Sequence, residues 1–340
     1  MNEAPPARAT PYHTWDCWYL REPGGPFHVF MLGCQAQHKV AEKHDEHSEL
    51  GYCTSTDLKE FSPPQWGILR GHGSNESIWT GCTVRDGAQY LMFYTVRQTV
   101  PGYWARQVIR LAVSPDLEHW APVDSFELAP EHLDPEGRHF LQEPAAGDRT
   151  IHAWRDPYVF RHAGRWHMLV SARSASQPAR RNACVALLVA EGDCRERSNW
   201  RLSMPSLVTG YEELDVPLLY LEEGTGAAVM LASLFSGSDY ARSMKLGYDP
   251  KRNTPGTKYR QDGLLVGFRA LSLDQALSGR FVDPERQRVE VGPLARLYAG
   301  QVVPELGGAV VGVDLEHGGQ KLIPSVFPTL RYVDPESRRR

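Results

Sequence analysis

The chain has 340 residues, of which 41% are hydrophobic and 23% are charged, with 30 glycines and 25 prolines. This composition excludes collagen-like, coiled-coil and low-complexity chains. The formal net charge of −4 argues against the broad basic surface of a nucleic-acid-binding protein. No apolar run is long enough for a membrane-spanning helix, and the first residues lack the apolar core of a signal peptide. We therefore expect a cytoplasmic protein with no nucleic-acid or membrane partner.

The six cysteines form no Cys-x-x-Cys pair, and most of them fall in apolar, strand-like stretches. Isolated cysteines in such stretches are typical of buried free thiols. With no signal peptide, a reducing compartment fits this usage better than a disulfide framework does.

Taken in chain order, five predicted hairpins recur, each an apolar strand, a Gly-containing turn and a second, very apolar strand. They cover residues 15–33, 79–95, 154–172, 213–235 and 296–315. A second repeated phrase, a strand followed by Ser-x-Asp-Leu and an aromatic residue, occurs at 50–61 and 109–120, with a degenerate copy at 184–200. Small and acidic residues at these strand ends predict turns in which side chains bond the local backbone.

The spacing of the hairpins predicts the architecture. Successive hairpins begin 59 to 83 residues apart, which suits four-stranded blades joined by variable loops. Helical periodicity is scarce, with residues 271–279 as the best candidate. We therefore predict an all-β fold, a five-bladed β-propeller forming a single domain over residues 12–330. Residues 1–11 would be a flexible segment and 331–340 a tail. The alternative is a two-sheet sandwich.

One position in each hairpin carries the candidate chemistry. In a propeller the innermost strands line a central channel, so residues at one end of those strands converge on one pocket. The residues at that place are Asp16, Thr80, Asp156, Asp215 and Tyr298. Acidic residues are depleted from strands and are rarely buried without a task. Convergent carboxylates between Trp faces suit glycoside chemistry, because one carboxyl protonates the leaving oxygen while another attacks or activates water.

Six motifs in fixed order resemble the five-bladed propeller glycosidases of glycoside hydrolase families 32, 43 and 68. They read TWDCWYL, STDLKEF, IWTGCTVRDG with LMFYT, AVSPDLEHW, WRDPYVF and ELDVPLLY. The resemblance covers about residues 12–320. It implies that Asp16 is the nucleophile, that Asp156 stabilises the transition state and that Arg155 is its charge partner or a hydroxyl donor. It also implies a pocket wall containing Trp15, Trp79 and Tyr94.

The resemblance has one important departure. Where the family has a Glu two residues before a Pro as general acid/base, this chain has Asp215. Its carboxyl is about 1.5 Å shorter in reach, the length of one C–C bond, and a misplacement near 1 Å can cost about a hundredfold in rate. Asp215 could act on a substrate that sits deeper, Glu213 or Glu212 could supply the proton, or the site could serve other chemistry or binding alone.

Weaker features complete the candidate site. His152 and Tyr298 are expected to reach the pocket and contact substrate. The loop 38–50 is rich in His and acidic residues but has no metal-ligand spacing, so we expect no metal and no cofactor; only His38 or His47 could supply the loop contact that the related enzymes make to the first carboxylate. Residues 240–270 are predicted to be a long connection that could lean over the pocket mouth.

These observations predict a glycoside hydrolase or transglycosylase acting on a small soluble glycoside, fructoside-like or arabinoside-like. We predict a retaining mechanism, which requires about 5–5.5 Å between the carboxyls of Asp16 and the acid, whereas about 6.5–9.5 Å would favour inversion. The alternatives are a propeller recruited to a non-glycosidic tailoring reaction on a small metabolite, and a sugar-binding module without turnover. The sequence leaves the oligomeric state open.

Overall fold

The computed structural model describes residues 12–21, 23–40, 46–71, 73, 75–100, 103–140, 152–178, 181–211, 213–234, 264–282, 297–314, 320–323 and 329–334. Within these ranges the chain is built almost entirely of strands. The helices are short: α1 (Ala36–Val40), α2 (Pro130–Leu133) and α3 (Leu273–Leu277), the last at the predicted place. Among the described residues, no helix combines the length and apolar character that crossing a lipid bilayer requires.

Three antiparallel sheets of four strands each form the first three blades. Blade 1 contains β1 (Tyr12–Arg21), β2 (Phe27–Gln35), β3 (Glu49–Ser55) and β4 (Gln65–Trp66). Blade 2 contains β5 (Glu76–Asp86), β6 (Gln89–Val100), β7 (Tyr103–Ser114) and β8 (Ala121–Leu128). Blade 3 contains β9 (Trp154–His162), β10 (Arg165–Arg173), β11 (Ala183–Ala190) and β12 (Trp200–Tyr211).

The last two sheets are built differently from the first three. Blade 4 contains β13 (Asp215–Glu222), β14 (Ala228–Leu234) and β15 (Leu264–Ala270), and its inner strand β13 also pairs with β19 (Leu330–Tyr332). Blade 5 contains β16 (Leu297–Val303), β17 (Ala309–Asp314) and β18 (Gln320–Ile323). Each predicted hairpin is thus the inner pair of strands of one blade.

The five inner strands close into a ring. Strands β1, β5, β9, β13 and β16 contact one another in this order, and β16 contacts β1 again. The five-bladed propeller predicted from the repeats is confirmed, and the two-sheet sandwich is wrong. Between the blades lies an apolar core in which Cys17, Cys53, Cys82, Cys184 and Cys194 take part, and all six cysteines are buried thiols outside any disulfide, as expected.

The Ser-x-Asp-Leu phrase forms the same turn in blades 1 and 2. Ser114 Oγ accepts the N–H of Leu117 at 2.8 Å, and Ser55 Oγ accepts the N–H of Leu58 at 2.8 Å. Both leucines adopt left-handed backbone conformations, with φ of 72° and 57°. This conformation is unfavourable for a residue with a side chain. The serine hydroxyl offsets part of that cost, and the turn directs the leucine side chain into the core.

The C-terminal strand ties the ring together on its inner side. Tyr332 donates its hydroxyl to Glu305 Oε2 at 3.0 Å, and its oxygen lies 2.8 Å from the Tyr19 hydroxyl oxygen. Tyr19 donates to the Val302 carbonyl at 3.0 Å. Residues 330–332 therefore connect blades 1, 4 and 5, although the predicted tail begins at 331.

Candidate active site

A β-bulge interrupts every inner strand at the same level. The register against the second strand shifts between residues 14 and 17, 79 and 81, 155 and 158, 215 and 218, and 298 and 301. A bulge re-aims side chains and bends its strand. All five residues predicted to converge lie in a bulge or directly before one.

Three of the bulges contain a non-glycine residue with positive φ. These residues are Asp156 at 57°, Val216 at 51° and Ala299 at 52°. Such strain persists only where the surroundings enforce it, and it concentrates at functional sites. In blades 3, 4 and 5 the strained residue directly follows Arg155, Asp215 and Tyr298, respectively. Arg155, and not Asp156 as predicted, therefore occupies the position equivalent to Asp215 and Tyr298.

Asp16 is buried in the bulge of β1. The hydroxyl of Thr80 donates to its Oδ2 at 2.5 Å, while Oδ1 has no hydrogen-bond partner among the described residues. Burial, together with the smaller effects of the Asp156 and Asp215 charges, raises the pKa of Asp16 to about 7 in spite of the Thr80 hydrogen bond. Asp156 and Asp215 therefore lie close enough to Asp16 to affect its pKa.

Asp156 links blade 3 to both neighbouring blades. Its backbone N–H donates to Thr95 Oγ1 of blade 2 at 3.0 Å, and its Oδ2 accepts the N–H of Val216 of blade 4 at 3.0 Å. Burial raises its pKa to about 6; Arg155 opposes the shift and Asp215 adds to it. The side chain is only 4% exposed, so most of its interactions are with the protein.

Asp215 is held on both oxygens. Arg155 donates to Oδ1 from Nη2 at 2.6 Å and from Nε at 3.2 Å, and Tyr298 donates to Oδ2 at 3.0 Å. Arg155 Nε also lies 3.5 Å from Asp156 Oδ2, so one guanidinium serves two carboxylates. Burial alone would lower the pKa of Arg155, but Asp215 and Asp156 raise it. Arg155 Nη1 is buried without a hydrogen-bond partner among the described residues.

A second arginine lies behind this group. Arg173 at the end of β10 is buried, and its Nη2 is 4.0 Å from Glu213 Oε1. Burial and the nearby Arg155 charge lower the pKa of Arg173. Glu213 is therefore drawn to Arg173, whereas Asp215 is bound to Arg155. Glu212 lies outside the described residues.

The predicted wall residues occupy different places. The Arg155 guanidinium lies 5.8 Å from the centroid of the Trp79 ring, so Trp79 borders the charged group. Trp15 stacks on His13, at a centroid distance of 5.8 Å. Tyr94 is fully buried in a second apolar cluster between blades 1 and 2. His152 is buried just before β9.

The predicted flanking loops contribute less to the described structure. His38 and His47 stack on each other at a centroid distance of 3.8 Å. In the described part of the chain, no group of three or more His, Cys, Asp and Glu side chains could hold a metal ion. The predicted connection over the pocket mouth lies outside the described residues up to 263; its last residues form β15.

A small cavity lies in the central channel. All five inner strands contribute to its lining, which includes Trp18, Thr80, Asp156, Val216 and Gln301. Asp156 therefore faces both the charged group and the channel.

Sequence reasoning missed Thr95 and Arg173. The signal was present for Thr95, since a hydroxyl residue occurs near the end of the second hairpin strand in blades 2, 3 and 4, as Thr95, Ser171 and Ser233. Each pairs with the residue just before the bulge, respectively Trp79, Arg155 and Asp215. Arg173 had no comparable signal, because Glu213, the carboxylate that it approaches, belongs to the next blade.

Comparison with known proteins agrees with this geometry. Residues 22–182 match the model of the glycosyl hydrolases family 32 N-terminal domain. No curated protein sequence matches the chain. Among solved structures, a mutant of a Bombyx mori GH32 beta-fructofuranosidase in complex with sucrose is similar, with a TM-score of 0.61 at 16% identity. That alignment covers 95% of this chain and 64% of the other, so this chain spans slightly less than two thirds of that enzyme.

Levansucrases share the fold as well. Bacillus subtilis levansucrase aligns with a TM-score of 0.62 at 11% identity, over 92% of this chain and 83% of its own. A fructofuranosidase from Schwanniomyces occidentalis complexed with fructose aligns with a TM-score of 0.53 at 15% identity, over 88% and 51%. The resemblance inferred from the six motifs is confirmed. The chain is therefore a glycosidase-like five-bladed β-propeller, similar to glycoside hydrolase family 32 over residues 22–182 and to the levansucrases in fold.

Proposed function

We propose that the protein is a retaining glycoside hydrolase or transglycosylase that acts on a small soluble glycoside, fructoside-like or arabinoside-like. One observation carries this proposal. Carboxylates from three separate blades, Asp16, Asp156 and Asp215, are each at most 6% exposed and are electrostatically coupled around Arg155. Packing three acids in this way is unfavourable for folding, because each loses its hydration. A catalytic role explains why the chain tolerates it.

The contacts suggest a different role for each of the three carboxylates. Thr80 occupies Oδ2 of Asp16, so the unpartnered Oδ1 is the oxygen proposed to bond to the anomeric carbon. As the glycosidic bond breaks, positive charge develops on the sugar, and the Asp156 carboxylate stabilises it. Asp215 gives its proton to the leaving oxygen. It then takes a proton from water or an acceptor hydroxyl, whose oxygen bonds to the anomeric carbon as the bond to Asp16 breaks.

The acid step makes a specific demand on Asp215. It must donate a proton from a carboxyl group whose Oδ1 already accepts the Arg155 guanidinium at 2.6 Å. Substrates whose leaving group is weakly basic need less proton donation, so they depend less on this residue. Both oxygens of Asp215 are engaged by Arg155 and Tyr298, and this also favours the second candidate, a sugar-binding module without turnover.

The test compares leaving groups. Sucrose and the aryl fructoside, arabinoside and xyloside are incubated with the wild type, Asp16→Asn, Asp215→Asn and the control Asp274→Asn, whose side chain is 86% exposed. The proposal expects Asp16→Asn to lose all turnover, Asp215→Asn to lose far more on sucrose than on an aryl glycoside, and the control to match wild type. An anomeric product of retained configuration, observed by NMR, supports the retaining mechanism. Binding without turnover supports the module, and no interaction with any sugar supports a non-glycosidic reaction.

A further inference from the structure

The strained bulge residues share one kind of support. Asp156, with φ of 57°, donates its N–H to Thr95 Oγ1 at 3.0 Å, and Ala299, with φ of 52°, donates its N–H to Ser233 Oγ at 3.0 Å. In both cases the hydroxyl comes from the second strand of the preceding blade. Both hydroxyl residues are fully buried, so no solvent competes for these bonds.

Blade 4 follows the same pattern with a different acceptor. Val216, with φ of 51°, donates its N–H to Asp156 Oδ2 at 3.0 Å, although Ser171 occupies the position equivalent to Thr95 and Ser233. Asp156 therefore supports the next bulge with its side chain while its own backbone is supported by Thr95. Thr95, Asp156 and Val216 are thus linked in series, and Ala299 is held separately by Ser233.

These bonds control where the charged side chains point. Asp156 is itself the residue supported by Thr95, and Ala299 directly follows Tyr298, whose hydroxyl donates to Asp215 Oδ2 at 3.0 Å. Thr95 Oγ1 also donates to the carbonyl of Thr80 at 3.0 Å, and the Thr80 hydroxyl bonds Asp16. Thr95 thus lies between the two carboxylates that are proposed to attack and to stabilise.

We propose that Thr95 and Ser233 are positioning residues, whose buried hydroxyls hold the left-handed conformations of Asp156 and Ala299 and thereby direct Asp156 and Tyr298 toward the proposed reaction centre. The proposal rests on the proposed glycosidase function for its kinetic consequence, but its structural part stands without it. A misplacement of about 1 Å at a reacting group can cost about a hundredfold in rate. The valine in Thr95→Val keeps the shape of threonine and removes the acceptor.

The control variant is Ser114→Ala. Ser114 Oγ accepts the N–H of Leu117, which is also left-handed with φ of 72°, in a turn that is not part of the site. This variant loses the same kind of bond and a comparable amount of stability. Any effect that Thr95→Val shows beyond Ser114→Ala is due to the location of the bond.

Two measurements decide the proposal: hydrogen–deuterium exchange of peptides containing Asp156 and Ala299, and kcat and KM on an aryl fructoside. We expect Thr95→Val to accelerate exchange at Asp156 and to lower kcat by roughly 10- to 100-fold with KM nearly unchanged. Ser233→Ala accelerates exchange at Ala299, Thr95→Ser restores both readouts, and Ser114→Ala changes neither.

Unchanged exchange at Asp156 and Ala299 overturns the proposal, and so does faster exchange in a Thr95→Val variant that retains full kcat. If the wild type turns over no glycoside, the proposed function fails. In that case faster exchange at both residues still supports the positioning role, and unchanged exchange still overturns it.

Discussion

Replacing Asp16 by Asn should make the protein more stable at alkaline pH and less stable at acidic pH. Asp16 is buried with one oxygen unpartnered among the described residues, and burial raises its pKa to about 7. An aspartate in an unfolded chain has a pKa near 3.9. Below about pH 4 the carboxyl is protonated in both states, and above about pH 7 it is ionised in both.

The magnitude follows from linkage. Between these two pH values the folded state holds a proton that the unfolded state has lost, so the free energy of unfolding falls as pH rises, by about 1.4 kcal/mol per pH unit. Over about three units Asp16 removes up to about 4 kcal/mol of stability, all of it lost by pH 8. Asn cannot ionise, but its buried amide N–H costs about 1–3 kcal/mol when unpaired. We therefore expect the variant to be about 1–3 kcal/mol more stable at pH 8 and less stable at pH 4.5.

Urea unfolding at pH 4.5, 6 and 8 measures this difference, with the exposed Asp274→Asn as the control. The difference between Asp16→Asn and wild type should grow steadily in favour of the variant as pH increases. A difference that is the same at pH 4.5 and pH 8 would refute the reasoning, because it would mean that Asp16 is ionised in the folded protein throughout.

Three further predictions follow from individual contacts. As pH is lowered, kcat/KM of the wild type should fall with a midpoint near pH 7, because the proposed attack needs ionised Asp16. A pH–rate profile on an aryl fructoside checks this. Asp215→Glu, although it restores the residue found in related enzymes, should lower kcat/KM by about a hundredfold, since the longer side chain displaces the carboxyl from Arg155 and Tyr298. Ser55→Ala should lower the free energy of unfolding by about 1–2 kcal/mol without changing kinetics, because the buried hydroxyl holds Leu58; urea unfolding measures it.

The propeller could be predicted because its signals are local. Each hairpin is a pair of apolar runs around a glycine turn, and five such hairpins follow one another along the chain. The Ser-x-Asp-Leu turn was equally readable, since Ser55 and Ser114 bond residues only three positions away. Signals of this kind survive in a single sequence because the residues that interact are also close along the chain.

The site was predicted less completely because bulges break the alternation of side chains. Strand periodicity alone gives no reason to place Thr95 rather than Tyr94 at the site, and a shift of one residue exchanges the two faces. The structure places Tyr94 in the core between blades 1 and 2 and Thr95 against Asp156. Their partners are distant in sequence, 61 residues in the case of Thr95 and Asp156, so the only signal for Thr95 is the hydroxyl residue repeated at the same place in three hairpins.

The strain and the buried charge of this site depend on each other. Positive φ at Asp156, Val216 and Ala299 is costly in isolation, and so is a carboxylate removed from water. In this site the two costs partly compensate each other. The strained bulge presents the Val216 N–H to Asp156 Oδ2, and this hydrogen bond helps to keep the buried carboxylate ionised. Asp156 is therefore both a proposed participant in the reaction and a structural link between blades 3 and 4. Its replacement by Asn should reduce activity and disturb the neighbouring bulge at once, whereas replacement of Asp16, which accepts no backbone N–H in the described structure, should affect activity while leaving the ring intact.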